Sequence, residues 1–262
     1  MKKNHDDYEV VPFPKMRRLV IDAGRIGHRK HTIHALVEMD VTKARQYIRE
    51  HKARTGESLS FTAFIISCLG RAVDENKTTH AYRSWRNHLV IFDEVDVLTM
   101  IEIEVEGRKM PMPHIIRAAN KRIFGDIHEE IRAIQAEPKS SQGSKFMQWF
   151  PLLPTIVREL FYWVVGKNPH LVKRHSGTVV ITAVGMFGMG GGWGIGGGSP
   201  HTLGIILGGI AEKPGLVDGR IEIREYLSMT ISVDHAIIDG APLARFTQRL
   251  KELIESGYGL SN

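Results

Sequence analysis

Residues 226–241 read Tyr226-Leu227-Ser228-Met229-Thr230-Ile231-Ser232-Val233-Asp234-His235-Ala236-Ile237-Ile238-Asp239-Gly240-Ala241. The first eight alternate and are rich in strand formers, so they read as a β-strand. His235 closes the strand, and Asp239-Gly240 gives a turn signal. A strand end holds an imidazole still, and imidazole is the side chain that exchanges a proton near neutral pH. His235 is therefore a candidate general base. A histidine with its bonds satisfied beside a turn fits the same spacing.

Working outward, Pro242 to about Ser256 reads as a closing helix, and Val217-Asp218-Gly219-Arg220 as a hairpin turn. Thr178–Val184 and His201–Gly208 read as strands on either side of a glycine-rich loop, Gly185–Gly198. Gly192, Gly194 and Gly197 formally match a dinucleotide fingerprint. Ser199-Pro200-His201 then leads into a strand rather than a helix, so the context for phosphate binding is missing and a flexible or closely packed loop is expected.

Nearer the N-terminus, residues to about Pro14 read as an extended arm, followed by a basic stretch from Arg17 to His31. Thr32–Asp40 reads as a strand. A helix follows to about Arg54, with Thr42 as its N-cap and Gly56 as its stop. Ser60–Val73 is a helix apolar on more than one face, hence buried. His88–Phe92 and Val95–Val105 are strand-like, and Met110-Pro111-Met112-Pro113 reads as an extended loop. Phe124 to about Ala136 is an amphipathic helix. Phe146–Val165 is an aromatic segment whose most regular part, Thr155–Val165, reads as a short apolar helix. Two prolines and a central Arg158-Glu159 pair argue against a membrane span, leaving packing on the core or on another subunit as the expectation.

The 262 residues are 42% hydrophobic, enough for one substantial core, and the absence of repeats or clean linkers makes one mixed α/β domain the economical reading. The net charge of +6 is scattered, which favours anionic ligands over nucleic acid. A single cysteine, Cys68, excludes an internal disulfide framework and suits a reducing compartment. The start is polar without an apolar stretch behind it, so a cytoplasmic location without membrane contact is expected. Cys68 lies in the apolar helix and reads as a buried structural thiol. None of the 13 histidines has good metal-ligand spacing with supporting acids, so no metal site is expected.

The stretch Ser232–Ala241, with the helix carrying Phe246 and Leu250, resembles the end of the acyltransferase catalytic domain of 2-oxo acid dehydrogenase complexes, a fold shared with chloramphenicol acetyltransferase. Thr178–Gly188, Leu203–Pro214, Ser58–Val73 and Pro111–Ala119 resemble further motifs of that family, in order, over roughly Val10 to Ser256. The resemblance implies a mixed β-sheet flanked by helices and a homotrimer, capable of larger cages, with active sites between subunits. It implies that His235 takes the proton of an attacking thiol and that Thr182, from the neighbouring subunit, stabilises the oxyanion. Asp239 would organise the site through an arginine, Arg17 or Arg18, although a plain turn residue fits Asp239 nearly as well. Ser232 and Gly240 fall where coenzyme A would be contacted. Coenzyme A or acyl-coenzyme A is then the substrate, without a metal, and the acceptor is a lipoyl-bearing protein in trans or a small molecule. The chain differs from the family at Ala236, where an arginine is usual, and at Gly196–Pro200. Residues 140–177 read as an insertion. No lipoyl segment is legible, which implies a stand-alone domain. A self-assembling scaffold of the same fold, without catalysis, is the competing expectation.

Overall fold

The computed structural model describes residues 8–14, 17–105, 108–137, 149–184, 190–196 and 198–260. Six strands form one sheet, in the order β1-β8-β7-β6-β4-β5. They are β1 (Thr32–Asp40), β4 (Val97–Val105), β5 (Arg108–Ile116), β6 (Val179–Ala183), β7 (Leu203–Val217) and β8 (Arg220–Asp234), while β2 (Tyr82–Arg83) and β3 (Leu89–Val90) make a separate small hairpin. β6 runs parallel to both β4 and β7, and the other pairings are antiparallel. The expected mixed α/β sheet with flanking helices is what the chain forms.

The period-2 reading of β8 holds. Leu227, Met229, Ile231 and Val233 are buried and belong to the main core, with Leu203, Ile205, Val179 and Ile181 on the same face of β7 and β6. Helices α2 (Thr42–Thr55), α3 (Phe61–Glu75), α4 (Phe124–Ala136) and α7 (Gly240–Ser256) complete that layer. α3 is apolar all round because it is the middle of the core, and Phe64, Ile65, Ile66 and Leu69 are wholly buried. Ser60 caps it by accepting a hydrogen bond from the Ala63 amide. Gly56 ends α2 in the left-handed conformation, as expected. Thr42 is the first helical residue, and Val41 holds the cap position. The Thr42 hydroxyl is engaged instead by the Glu225 amide, tying α2 to β8.

The β7–β8 hairpin turns at Asp218 and Gly219, both at positive φ, the conformation that two-residue hairpin loops require. Its far end stands clear of the core, leaving Leu216, Ile221 and Ile223 exposed.

Two elements differ from expectation, while the helix expected at Thr155–Val165 forms and is followed by another. Met110–Pro113 is strand, part of β5. It lies at the sheet edge, and Pro111 and Pro113 have the same parity, so both can turn their missing N–H away from β4. Arg17–Gly27 forms a helix, α1, although Val20 and Ile21 on it stay exposed. The aromatic segment continues through α5 (Thr155–Lys167) into α6 (Pro169–Ser176), which Asn168 caps by accepting from the His170 amide. α5 is anchored to α1 by a buried ion pair, Arg158 Nε to Asp22 Oδ2 at 2.7 Å. Its outer face leaves Ile156, Leu160 and Trp163 exposed.

Candidate functional site

His235 stands one residue beyond β8, in a turn built by its neighbour Asp234. The Asp234 carbonyl accepts the amides of Ile237 and Ile238, and its Oδ1 accepts the amide of Ala236 at 3.1 Å. Its Oδ2 pairs with Lys30 Nζ at 3.2 Å. The Lys30 ammonium is held below its ordinary range chiefly by burial, with Asp234 offsetting part of that cost. The His235 amide donates to the His31 carbonyl at 2.8 Å. The backbone under the imidazole is thus fixed on both sides while the ring is about half exposed, at 47%. Nδ1 lies 3.8 Å from Asp239 Oδ1, beyond hydrogen-bond reach. Among the described residues Nε2 has no hydrogen-bond partner, which leaves it available to a proton, as a base requires. Asp239 itself is exposed at the cap position of α7, and its side chain makes no capping bond. The hydrogen bond of Arg18 ends on the Pro151 carbonyl.

Two other histidines show the opposite environment. His80 donates from Nε2 to the Phe92 carbonyl and accepts at Nδ1 from Thr178 Oγ1, both at 3.0 Å. His201 donates from Nε2 to the Ser176 carbonyl at 2.7 Å and accepts from Ser199 Oγ at 2.8 Å. Burial drives both pKa values down to about 4, so both are neutral structural groups. Burial likewise pushes the Cys68 thiol far up, which keeps it protonated, as expected of a structural cysteine.

Thr182 projects from the sheet face opposite the core, since Ile181 and Ala183 point the other way and pack on it. Along the register, Thr182 lies beside Ile206 and Ile206 beside Thr230. The described part of the glycine loop, residues 190–196, runs over this face. Gly192 bridges to Gly209, where β7 bulges between Leu207 and Ile210, and its amide donates to Ser228 Oγ. A Cβ on Gly208 would sit 2.1 Å from the Gly192 carbonyl oxygen, so the two backbones meet because position 208 carries no side chain. Of the two expectations, flexible or closely packed, Gly192 and Gly194 show the second; Gly197 lies outside the described residues, as do residues 185–189.

The same register separates Thr182 from His235. His235 is five residues beyond Thr230, about 17 Å along the strand, and two strands, about 10 Å, across from Thr182. The two side chains are therefore not brought together within one chain. Nor are Ser232 and Gly240. The Ser232 hydroxyl is 2.8 Å from His34 Nδ1 on the open face. Gly240 lies by Ala35 and Val37 in a groove of about 480 Å³ at the start of α7. Sequence reasoning gave no role to Asp234 or Lys30, which set the position of His235. The pairing of Asp234 with an N-terminal lysine across 204 positions leaves no local signal.

Among the described residues, no group of three or more His, Cys, Asp or Glu could hold a metal ion, and no helix is long and apolar enough to cross a membrane.

Residues 170–260 match the family described as 2-oxoacid dehydrogenases acyltransferase (catalytic domain). A dihydrolipoyllysine-residue acetyltransferase component of the pyruvate dehydrogenase complex, from Rickettsia conorii, is 23% identical over 98% of this chain. The match covers 56% of that relative, so the chain spans about half its length. Two solved structures superpose with a TM-score of 0.71 at 16% identity, covering 98% of this chain and 96% of theirs. One is the cubic core of the pyruvate dehydrogenase multienzyme complex. The other is the Azotobacter vinelandii dihydrolipoamide acetyltransferase, studied for the role of a serine, a histidine and an asparagine in its catalytic mechanism. Chloramphenicol acetyltransferase superposes at a TM-score of 0.52 and 16% identity, covering 89% of this chain and 94% of its own. The segment 170–260 thus matches the acyltransferase catalytic domain of the 2-oxoacid dehydrogenases, and the fold of the whole chain is the one these solved structures share.

Proposed function

We propose that this protein is an acyltransferase that moves an acyl group between coenzyme A and a second thiol or small acceptor, at a site shared by two copies of the chain. The observation that carries this reading is the placement of two complementary groups about 20 Å apart by the strand and sheet spacings. His235 offers a half-exposed imidazole on a fixed backbone, and Thr182 offers a hydroxyl on the sheet face away from the core. Each is half of a site, and a second copy supplies the other half. The exposed apolar end of the β7–β8 hairpin, with Leu216, Ile221 and Ile223, favours self-association into a homotrimer, and the likeness to a cubic core favours a larger cage.

In this reaction His235 Nε2 takes the proton of the attacking thiol. The thiolate adds to the thioester carbonyl, and the oxygen takes the negative charge. Thr182 of the adjacent copy donates its O–H to that oxygen, worth about 3 kcal/mol where such donors have been removed in hydrolases. Collapse re-forms the carbonyl and expels the first thiolate, which recovers the proton from the imidazolium. Asp239 stabilises that imidazolium from 3.8 Å. Ser232 and Gly240 are proposed as contacts for coenzyme A, which is a substrate here. A lipoyl-bearing protein on another chain is the thiol acceptor that the family likeness favours, and the site of action is cytoplasmic.

The test is acyl transfer from acetyl-coenzyme A by wild type and His235→Ala, with assembly measured by light scattering. Loss of transfer in an intact oligomer supports the mechanism. Full activity in the variant overturns it. An oligomer that neither binds coenzyme A nor transfers acyl groups is a scaffold, and contradicts the whole reading.

A further inference from the structure

A cavity of about 790 Å³ opens between α1, the β2–β3 hairpin and α5. Its volume is that of a small-molecule site. The walls are unusual in charge. Its two carboxylates are already engaged, Asp22 by Arg158 and Glu159 by Arg25. Arg29, Arg83 and Lys167 also line it, and among the described residues none of the three has a carboxylate partner. Trp85, Tyr162 and Trp163 give it flat apolar surface. The Tyr162 hydroxyl has no hydrogen-bond partner among the described residues, and burial pushes its pKa up to about 12, so it stays a donor.

The position matters as much as the charge. Lys30 lines the same cavity and is the residue that pairs with Asp234, directly before His235. The next residue, His31, holds the His235 amide. One wall of the cavity is thus continuous with the support of the candidate base. All the lining residues precede position 170, outside the segment that matches the family. A site built from such residues can set a substrate preference that belongs to this chain, while the shared segment keeps the chemistry.

We infer that the cavity between α1, the β2–β3 hairpin and α5 binds the anionic end of the acyl acceptor or acyl group, a carboxylate or phosphate on a flat apolar body, beside His235. This rests on the acyltransferase reading for its purpose but not for its measurement. The anion sits among Arg29, Arg83 and Lys167, with Tyr162 donating a hydrogen bond and the tryptophan rings flanking the body. Charge-assisted bonds to guanidinium groups supply the preference for an anion.

The experiment titrates the full chain with benzoate, phenyl phosphate and benzyl alcohol, followed by tryptophan fluorescence and calorimetry. At least one anion is expected to bind roughly tenfold or more tightly than the neutral alcohol, and the stronger of the two identifies the anionic group. The double variant R83E/K167E is expected to remove that preference while leaving coenzyme A affinity unchanged. Equal binding of all three probes, binding of none, or an undiminished preference in R83E/K167E overturns the inference. Failure of the acyltransferase reading is distinguishable, because it appears as absent coenzyme A binding or transfer whatever these probes do.

Discussion

His235 and the pair His80 and His201 are the same side chain under opposite rules. His80 and His201 have both ring nitrogens spent on protein partners and are buried until they can no longer hold a proton at physiological pH. His235 has its backbone pinned by His31 and by the Asp234 turn, while its ring is half in solvent with one nitrogen open. The fold thus invests in the position of His235 and in the bonds of the other two. A fixed main chain under an unspent imidazole is what the proposed base would need; spent nitrogens suit a structural group.

Substitution should separate the two kinds cleanly. His235→Ala is expected to lower kcat/KM for acyl transfer about 10³-fold, within the range for a lost general base, with thermal stability near wild type. Thr182→Val keeps the strand and removes the donor, and should lower kcat about 10²-fold with little change in KM. A large loss of folding in either variant would place that residue among the structural groups.

The buried pair should respond to acid instead. Both pKa values lie near 4 in the folded chain against 6.5 as ordinary, so the unfolded chain binds protons first as pH falls. Stability is whole above about pH 6.5 and declines toward pH 4, by on the order of 3 kcal/mol for each histidine. Urea unfolding across this range should show the decline, and His201→Gln should be weaker at pH 7 but less sensitive to acid. A flat profile in wild type would break the comparison. Asp239→Asn is the smallest change. Its carboxylate is exposed, so a loss of only a few-fold in kcat is expected, with Asp234→Asn costing more because that side chain positions the turn.

Much of this was legible in the chain. Alternation in 226–233, Gly56 after α2, Asp218-Gly219 and the apolar run of α3 are local signals, and each became the element they indicate. β5 was hidden because Pro111 and Pro113 disguise a strand that is tolerable only at an edge, and edges are a property of the whole sheet. α1 was hidden because its main anchor is Asp22, paired with a residue 136 positions away. For the site, His235 could be read from its turn, but the Lys30–Asp234 support could not, nor the distance that parts His235 from Thr182. That distance depends on the order β8-β7-β6, which no local pattern encodes.

The central claim is that one working site needs two copies, and subunit mixing tests it most directly. His235→Ala and Thr182→Val chains, each nearly inactive alone, are to be co-expressed and the mixed oligomer assayed for acyl transfer. If His235 of one copy meets Thr182 of the next, random mixing restores about a quarter of the sites, since each needs one intact residue from each of two chains. Activity no higher than that of the separate variants, in an oligomer shown to contain both chains, would contradict the account.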